Sequence, residues 1–381
     1  MLRFIIYLFP AVINCILCGV FFFTSDFFSR NGAPELLIGA TMATWAIIYM
    51  SISFVLGKVV TAQNCAKLIS LGCFLLAIAS AGFWLYPGYY LQFFWLALTG
   101  SGSALYCTPC QLFMKNIEPN QNSGVVRPTA LYTASWSYGM ACGSFIIAAL
   151  GKEKAFMFNT IFSLLLAIVV LILDKMPPLK APEKKSDEQE LDYSKYPNCT
   201  VAGWILGSLG TLGVVIIRTF APHRAHDLGL TETQAAYVIA LFNTTQGTIA
   251  LLLTRGKTWM YKPFSAVLMG MCGIVGMILF ALGTSLYTQY TAAAIFGLFS
   301  GSFYFCYVFY VLARPDSAGY IAVNEILVGM MSIIGPLFAA LLVSFGKSSA
   351  LPFYAGAGLA AAGMLIHGFM VRNRMKRYQP E

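Results

Sequence analysis

Apolar residues follow one another along this chain in blocks of about twenty, separated by short polar segments, from Leu2 to Val371. A helical block of that length is about 30 Å long, which matches the hydrocarbon core of a bilayer. Each block is therefore predicted to cross the membrane as one helix. The twelve predicted helices are 2–24, 35–56, 66–86, 88–114, 129–150, 155–174, 198–220, 232–254, 263–283, 287–313, 320–345 and 350–371.

The composition agrees with this pattern, since 58% of the residues are hydrophobic and only 10% are charged. Soluble globular domains are about half apolar and about one quarter charged, so a soluble fold is not expected. The first block is too long for the apolar core of a signal peptide. We expect it to remain in the protein as the first transmembrane helix.

The net charge of +9 could indicate a nucleic-acid partner. The basic residues, however, lie in short clusters between the apolar blocks and form no basic surface interleaved with aromatic residues. Loops on one side of the predicted bundle carry 18 of the 24 Lys and Arg residues. The positive-inside rule places that side, and with it both termini, in the cytoplasm. We expect a multi-pass protein of the plasma (inner) membrane that contacts lipid and no nucleic acid.

One connection, 175–197, differs from the short loops elsewhere. It contains several prolines and the mixed-charge run 183–190. Such a segment is typical of a solvated linker. It divides the chain into an N-terminal half, 1–174, and a C-terminal half, 198–381, each with six predicted helices.

The two halves share an internal repeat. Three short segments recur at one constant offset of 197 residues: 32–35 with 229–232, 90–93 with 287–290, and Gly100 with Gly297. Because each half contains an even number of helices, both copies have the same orientation in the membrane. In transporters built from two parallel repeats, the solute binds near the midplane between the halves.

The loop between helices 2 and 3 begins with Gly57 and ends with Lys67. Both positions match a Gly-x-x-x-Asp-Arg-x-Gly-Arg-Arg pattern, although Thr61 replaces its acidic residue. The segment 228–235 before helix 8 and glycines in helices 5 and 11 match further signatures. With these motifs the chain resembles the major facilitator superfamily over all twelve predicted helices.

The resemblance implies a fold and a set of gating residues. The implied fold is an all-α integral membrane protein with two six-helix, pseudo-symmetric bundles that open alternately to the two sides. Ser144 in helix 5 stands where the family usually has proline. Gating roles are implied for Gly57, Lys67, Gly139, Gly143, Gly335 and Pro336.

A charged side chain at bilayer depth is costly and marks a functional position. Glu325, early in helix 11, is the carboxylate that the sequence places most clearly inside an apolar block. It could take up and release a proton during transport. Alternatively, it lies one turn inside the cytoplasmic end and hydrogen-bonds to loop backbone or to Arg314.

Arg218 lies toward the outer end of helix 7, a helix that lines the cavity in the resembled family. Its planar guanidinium group could hold a carboxylate or phosphate of the solute through two parallel hydrogen bonds. Alternatively, it reaches outward to the membrane interface, or it pairs with Asp26 of helix 1 as an outer gate. All three interpretations fit the sequence.

Other polar residues of the cavity helices could recognise hydroxyl or amide groups of a solute. Equally, they could form hydrogen bonds between helices, as such side chains commonly do in membrane bundles. Trp45, Tyr49, Trp136 and Tyr138 could stack on a ring of the solute or simply pack. The polar candidates are Asn14, Gln111, Thr211, Asn243, Gln246, Tyr304 and Tyr307.

Enzymatic chemistry is not expected. The Cys15-x-x-Cys18 and Cys107-x-x-Cys110 spacings have no second ligand pair nearby, so we predict no metal site and no cofactor. The leading hypothesis is a monomeric secondary transporter that moves a small organic solute by alternating access, in symport with protons. Uptake and export remain open, and a drug or metabolite exporter or a non-transporting sensor are alternatives.

A cysteine introduced at Ser186 tests the orientation. We expect it to resist a membrane-impermeant thiol reagent in intact cells and to react after permeabilisation, because the distribution of basic residues places 175–197 in the cytoplasm. A cysteine at Lys152, in a loop predicted to face outward, is the matched control and should react in intact cells. The reverse labelling pattern would reject this orientation.

Overall fold

The computed structural model of the chain describes residues 2–61, 63–117, 125–176, 191, 193–256, 258–314 and 317–378. The linker run 183–190 lies outside these residues. All regular structure in the described part is helical. The helices are α1 (Leu2–Arg30), α2 (Glu35–Val59), α3 (Cys65–Leu85), α4 (Leu91–Ile117), α5 and α6 (together Val126–Asp174), α7 (Thr200–Asp227), α8 (Glu232–Leu252), α9 (Pro263–Leu282), α10 (Leu286–Leu312), α11 (Ser317–Gly346) and α12 (Leu351–Lys376).

The segment Val126–Asp174 contains two helices that meet at Gly151, whose backbone is non-helical with φ 74° and ψ 164°. Glycine adopts this conformation without the steric cost that a Cβ would impose. The chain reverses there, because Ile147 and Asn159 lie on opposite sides of the break yet both contact the same point of α1, at Gly19. We therefore number residues 126–150 as α5 and 152–174 as α6.

Most helices are long and apolar enough to cross a bilayer. Ten of the described segments meet both conditions, and one of them is the 49-residue segment that holds α5 and α6. The 27 residues of α4 are also sufficient in length, although α4 carries the polar run 99–103. The structure thus confirms an all-α protein with many membrane spans, close to the predicted positions.

The internal repeat is visible in the backbone. Gly32 and Gly229 both have a positive φ, of 67° and 72°, in the turns that precede α2 and α8. Each turn therefore requires a residue without a Cβ at the same point of the repeat. The offset between the two glycines is the 197 residues found in the sequence.

A second pair of glycines repeats a contact between helices. A Cβ at Gly100 of α4 would lie 2.7 Å from the carbonyl oxygen of Trp45 in α2. A Cβ at Gly297 of α10 would lie 2.6 Å from the carbonyl oxygen of Phe242 in α8. Gly297 lies 197 residues after Gly100, and Phe242 lies 197 residues after Trp45. The pair α8 and α10 therefore packs in the same manner as the pair α2 and α4.

Three pairs of helices make the most extensive contacts between the N-terminal helices α1–α6 and the C-terminal helices α7–α12. They are α1 with α7, α2 with α11, and α5 with α8. We call the end of the bundle where α1 begins and α12 ends the terminal end, and the opposite end the distal end. At the distal end the halves touch directly: Arg30 donates to the carbonyl oxygen of Leu230 (3.3 Å), and Ser344 donates to the carboxylate of Glu35 (3.3 Å).

Within the N-terminal half, α1 and α5 approach so closely that only glycine fits between them. A Cβ at Gly139 would overlap the carbonyl oxygen of Ala11, and a Cβ at Gly143 would overlap that of Cys15. Small residues at such crossings let helix backbones come into van der Waals contact, which drives association in lipid. Gly139 and Gly143 therefore fix α5 against α1.

Replacing Gly143 with alanine should destabilise the protein, because the new methyl group meets backbone rather than a movable side chain. We expect a loss of about 1–3 kcal/mol, measured as a lower melting temperature in detergent. Gly358→Ala in α12 is the matched control, because a Cβ there meets nothing within 4 Å. Equal stability of the two variants would contradict the packing described here.

Candidate functional site

The contact between α2 and α11 contains a carboxylate from one half and a hydroxyl group from the other. The hydroxyl of Tyr49 donates a hydrogen bond of 2.7 Å to Oε2 of Glu325. Glu325 lies eight residues after the start of α11, about 12 Å along the helix. The N-terminal half therefore provides the donor, Tyr49, and the C-terminal half provides the acceptor, Glu325.

Aromatic packing holds Tyr49 in place. The ring of Trp45, one turn earlier on α2, stacks on the Tyr49 ring with centroids 5.0 Å apart. The indole nitrogen of Trp45 donates to Oγ of Ser103 in α4 (3.2 Å), so the stack is tied to a third helix. Both rings are buried. The Tyr49 hydroxyl is thereby directed toward Glu325.

Asn324, the residue before Glu325, also forms hydrogen bonds to other helices. The side-chain oxygen of Asn324 accepts from the indole of Trp204 in α7 (2.6 Å), and its carbonyl oxygen accepts from the Tyr307 hydroxyl in α10 (2.6 Å). These bonds fix the start of α11 to the rest of the C-terminal half. Arg314 donates to the carbonyl oxygen of Pro197 (2.9 Å) at the terminal end.

The contact between α5 and α8 is polar but uncharged. The amide nitrogen of Gln246 donates to Oγ of Ser137 in α5 (2.7 Å), and Oγ of Ser300 in α10 donates to the amide oxygen of Gln246. All three side chains are fully buried. Gln246 is the repeat counterpart of Tyr49, since the two differ by 197 residues. Equivalent positions thus make polar bridges between the halves on both sides of the bundle.

Arg218 of α7 lies between the halves without a countercharge. Its Nε and Nη2 atoms are inaccessible and have no hydrogen-bond acceptor among the described residues. Its guanidinium carbon lies 5.9 Å from the centre of the Trp136 ring of α5. Such a cation–π contact contributes about 0.5–2 kcal/mol. The described residues thus provide a ring contact and no countercharge for this half-buried side chain.

The hydroxyl of Tyr304 lies within electrostatic range of both Arg218 and Glu325. Thr211 of α7 donates to this hydroxyl at 3.4 Å, and the Trp136 ring packs edge-on against the Tyr304 ring at 4.9 Å. Tyr304 therefore lies near both Arg218 and Glu325.

A small cavity adjoins Arg218 on the distal side. Its volume is about 10 Å³, roughly the space for one water. Polar lining comes from α1, α2 and α7, and therefore from both halves. The polar lining residues are Thr24, Ser25, Thr41, Arg218 and Thr219.

Asp26 has a different partner from the one considered in the sequence analysis. Its Oδ2 accepts from Nε of Arg30, one turn later on α1, at 2.7 Å. The pairing with Arg218 is absent from this structure. The contact of α1 with α7 at this level is instead the bond from Ser25 Oγ to the carbonyl oxygen of Thr219 (2.5 Å).

Two other predicted solute-binding residues bond within their own helices. Asn14 donates to the carbonyl oxygen of Pro10 (2.8 Å), and Asn243 donates to that of Ile239 (2.8 Å). The side-chain oxygen of Asn243 is buried and has no donor among the residues described. The side chain of Gln111 lies outside the described part of the chain.

The predicted gating residues fall into two groups. Gly335 packs against Val215 of α7, and the carbonyl oxygen of Pro336 lies at Gly39 of α2, so both belong to contacts of α11. Gly57 and Lys67, in contrast, flank an exposed loop at the terminal end.

The loop between α2 and α3 is held by an asparagine rather than by an acidic residue. Oδ1 of Asn64 accepts from the backbone nitrogen of Thr61 (2.7 Å), and Nδ2 of Asn64 donates to the carbonyl oxygen of Val59 (2.9 Å). The loop thus keeps an ordered turn although its motif lacks the carboxylate.

With this geometry in view, comparisons with known proteins identify the family. A family model described as Major Facilitator Superfamily matches residues 7–319. The chain belongs to the major facilitator superfamily. No curated protein matches this facilitator in sequence.

Solved structures with the same fold include two kinds of transporter. The nucleoside transporter NupG superposes with a TM-score of 0.62 at 14% identity, over 98% of this facilitator and 99% of NupG. A bacterial homologue of the human lysosomal transporter Spinster, in an inward-facing and occupied conformation, gives 0.64 at 13% identity, over 99% and 97%. These similarities show the fold of a membrane transporter.

Several residues of the site were not singled out from the sequence as site residues. Ser137, Ser300 and Thr219 are small hydroxyl residues of a kind found throughout membrane helices, so their type carries no signal. Tyr49 was considered from the sequence only for stacking or packing, and its hydrogen-bonding role could have been found through the repeat, because the offset of 197 relates it to the polar candidate Gln246. The partner of Asp26 was one helical turn away, at Arg30.

A double-mutant cycle distinguishes the two possible partners of Asp26. We expect Asp26→Asn and Arg30→Gln to be coupled by about 0.5–1 kcal/mol in thermal stability, because this partly exposed pair lies on adjacent turns. The cycle of Asp26→Asn with Arg218→Met is the control and should be additive. Coupling to Arg218 without coupling to Arg30 would contradict the pairing seen here.

Proposed function

We propose that this facilitator is a proton-coupled secondary active transporter that moves a small organic solute by alternating access. It acts as a monomer in the plasma (inner) membrane with both termini in the cytoplasm. The single observation that carries the proposal is the bond between Tyr49 and Glu325, in which a carboxylate at membrane depth bridges the two halves. An ionisable group within the membrane is a functional site by default.

The bond makes the contact of α2 with α11 sensitive to protonation. An ionised carboxylate accepts the Tyr49 hydroxyl in a charge-assisted hydrogen bond, which is about twice as strong as a neutral one. Protonation of Glu325 removes the charge and weakens the bond. Proton uptake therefore favours separation of α2 from α11, and proton release favours their contact.

The moving parts are the halves 1–174 and 198–381, connected by the linker 175–197. The hydrogen bonds at α5 with α8 are made by Gln246 with two serines and by Tyr138 with Thr248, all of which are neutral side chains, so this contact does not respond to protonation. In this structure the distal ends touch and the cavity beside Arg218 has room for about one water. A solute therefore requires the halves to separate before it can enter.

The solute site lies between Glu325 and Arg218. Tyr304 and Gln246 contact the N-terminal half, and Tyr307 lies one turn from Tyr304 on α10; their hydroxyl and amide groups can recognise polar groups of a solute once the halves separate. Each of these groups already has a partner in the present conformation. The solute must therefore replace bonds that the protein makes to itself, which favours a polar solute.

Glu325→Gln tests the coupling role. Glutamine retains the size of the side chain but cannot exchange a proton, so solute accumulation driven by a pH gradient should fall to the level of empty liposomes. Counterflow of labelled against unlabelled solute should persist, because it requires conformational exchange only. Solutes for both assays come from a thermal-shift screen of the purified protein against sugars, organic anions, nucleosides and amino acids.

Glu153→Gln is the matched control, since it makes the same exchange at an exposed position beside Gly151. It should leave both activities unchanged. Accumulation by Glu325→Gln at the wild-type rate and equal protein level would refute the coupling role.

A further inference from the structure

We propose that Arg218 and Thr219 form a binding site for an acidic group, and that the transported solute is an organic anion with a carboxylate or phosphate. The inference rests on the proposed function, because it assumes that the facilitator carries a solute. It goes further by assigning a chemical class to that solute.

The first argument is the geometry of the unpartnered atoms. Nε and Nη2 of Arg218 lie on one edge of the guanidinium group and point in parallel directions. This edge is the fork that binds two oxygens of a carboxylate or phosphate at once. Both nitrogens are buried and lack an acceptor in the described part of the structure, so the fork is unsatisfied in this conformation.

The second argument is that the surrounding carboxylates are engaged elsewhere. Oδ2 of Asp26 is paired with Arg30, and Glu325 is bonded to Tyr49 at the contact of α2 with α11. No carboxylate is hydrogen-bonded to Nε or Nη2 of Arg218 among the described residues. An acidic group of the solute would supply this countercharge.

The third argument is a second donor beside the fork. The hydroxyl of Thr219 is buried, with 1% of the residue exposed, and it has no hydrogen-bond partner among the described residues. Thr219 lines the same small cavity as Arg218. Three unsatisfied donors on two adjacent residues of the cavity wall match an oxyanion, which has acceptors and no donor.

The position of the site links the anion to the closure of the distal end. Arg218 and Thr219 belong to α7, whereas Thr24 and Ser25 on the opposite wall belong to α1. An anion bound there supplies the charge that this conformation lacks. Because the cavity has room for about one water, the halves separate before the solute enters, and an acidic solute on the fork then stabilises the closed contact between α1 and α7 more than a neutral analogue does.

Thermal shifts of the purified, full-length protein in detergent test the assignment with matched pairs of probes. The pairs are benzoate with benzamide, lactate with lactamide, and ribose 5-phosphate with ribose. At least one acid should raise the melting temperature of the wild type while its neutral partner has no effect. Arg218→Lys, which keeps the charge but loses the fork, should weaken the apparent affinity for that acid by about tenfold or more.

Arg224→Lys is the matched control, because it makes the same exchange on the same helix. Arg224 already donates to Ser349 and to the carbonyl oxygen of Ala281, and it does not line the cavity. Its response to the acid should equal that of the wild type. Chloride and inorganic phosphate are separate probes. A full shift from either, with no further shift from any organic acid, would overturn the assignment to a solute.

Arg218→Met provides a test that does not depend on the probes. It removes an uncompensated buried charge, so the melting temperature of the ligand-free protein should rise, whereas loss of a merely structural arginine would lower it. A failure to rise, a wild type that responds to no acid, or an acid response retained by Arg218→Met overturns the proposal. These assays need no proton gradient, so they give their answer even if Glu325 does not couple transport to protons.

Discussion

Hydrocarbon offers no water to hydrogen-bond with a protein, so each polar group at membrane depth must find its partner within the protein or in a ligand. The backbone meets this requirement by forming helices throughout the described spans. Most side chains meet it by being apolar. Buried polar side chains occur in both halves, and some of them form hydrogen bonds between the halves where α2 meets α11, α5 meets α8, and α1 meets α7.

The three main contacts between the halves differ in whether they contain a charged group, although the two halves are copies of one repeat. Tyr49 and Gln246 occupy equivalent positions, yet one faces a carboxylate and the other faces two serines. A neutral contact can open and close without change of ionisation, whereas a contact that contains Glu325 depends on its proton. In the proposed mechanism, the repeat provides the symmetry for alternating access, and the residue differences between its two copies provide the ionisable group.

Close helix packing explains why these polar contacts are so few. Glycines at Gly139, Gly143, Gly100 and Gly297 bring helix backbones into contact within each half, where lipid provides no hydrophobic driving force. Each half can then behave as a rigid body, and the free energy that separates its conformations lies in the contacts between the halves. In the proposed mechanism, a proton at Glu325 or an anion at Arg218 changes the free energy of the contacts between the halves and leaves the packing within each half unchanged.

The sequence by itself determined the all-helical membrane fold, the approximate positions of the spans, the repeat, and the charges of Arg218 and Glu325 within the spans. These are local properties, because twenty apolar residues span a bilayer wherever they occur and a charge within them is costly whatever surrounds it. The tertiary structure decided which side chains face each other. It paired Asp26 with Arg30, aimed Tyr49 at Glu325, and left the fork of Arg218 without a partner. Such pairings depend on how each helix is rotated about its axis, and that rotation is set by the sum of many weak contacts from distant parts of the chain.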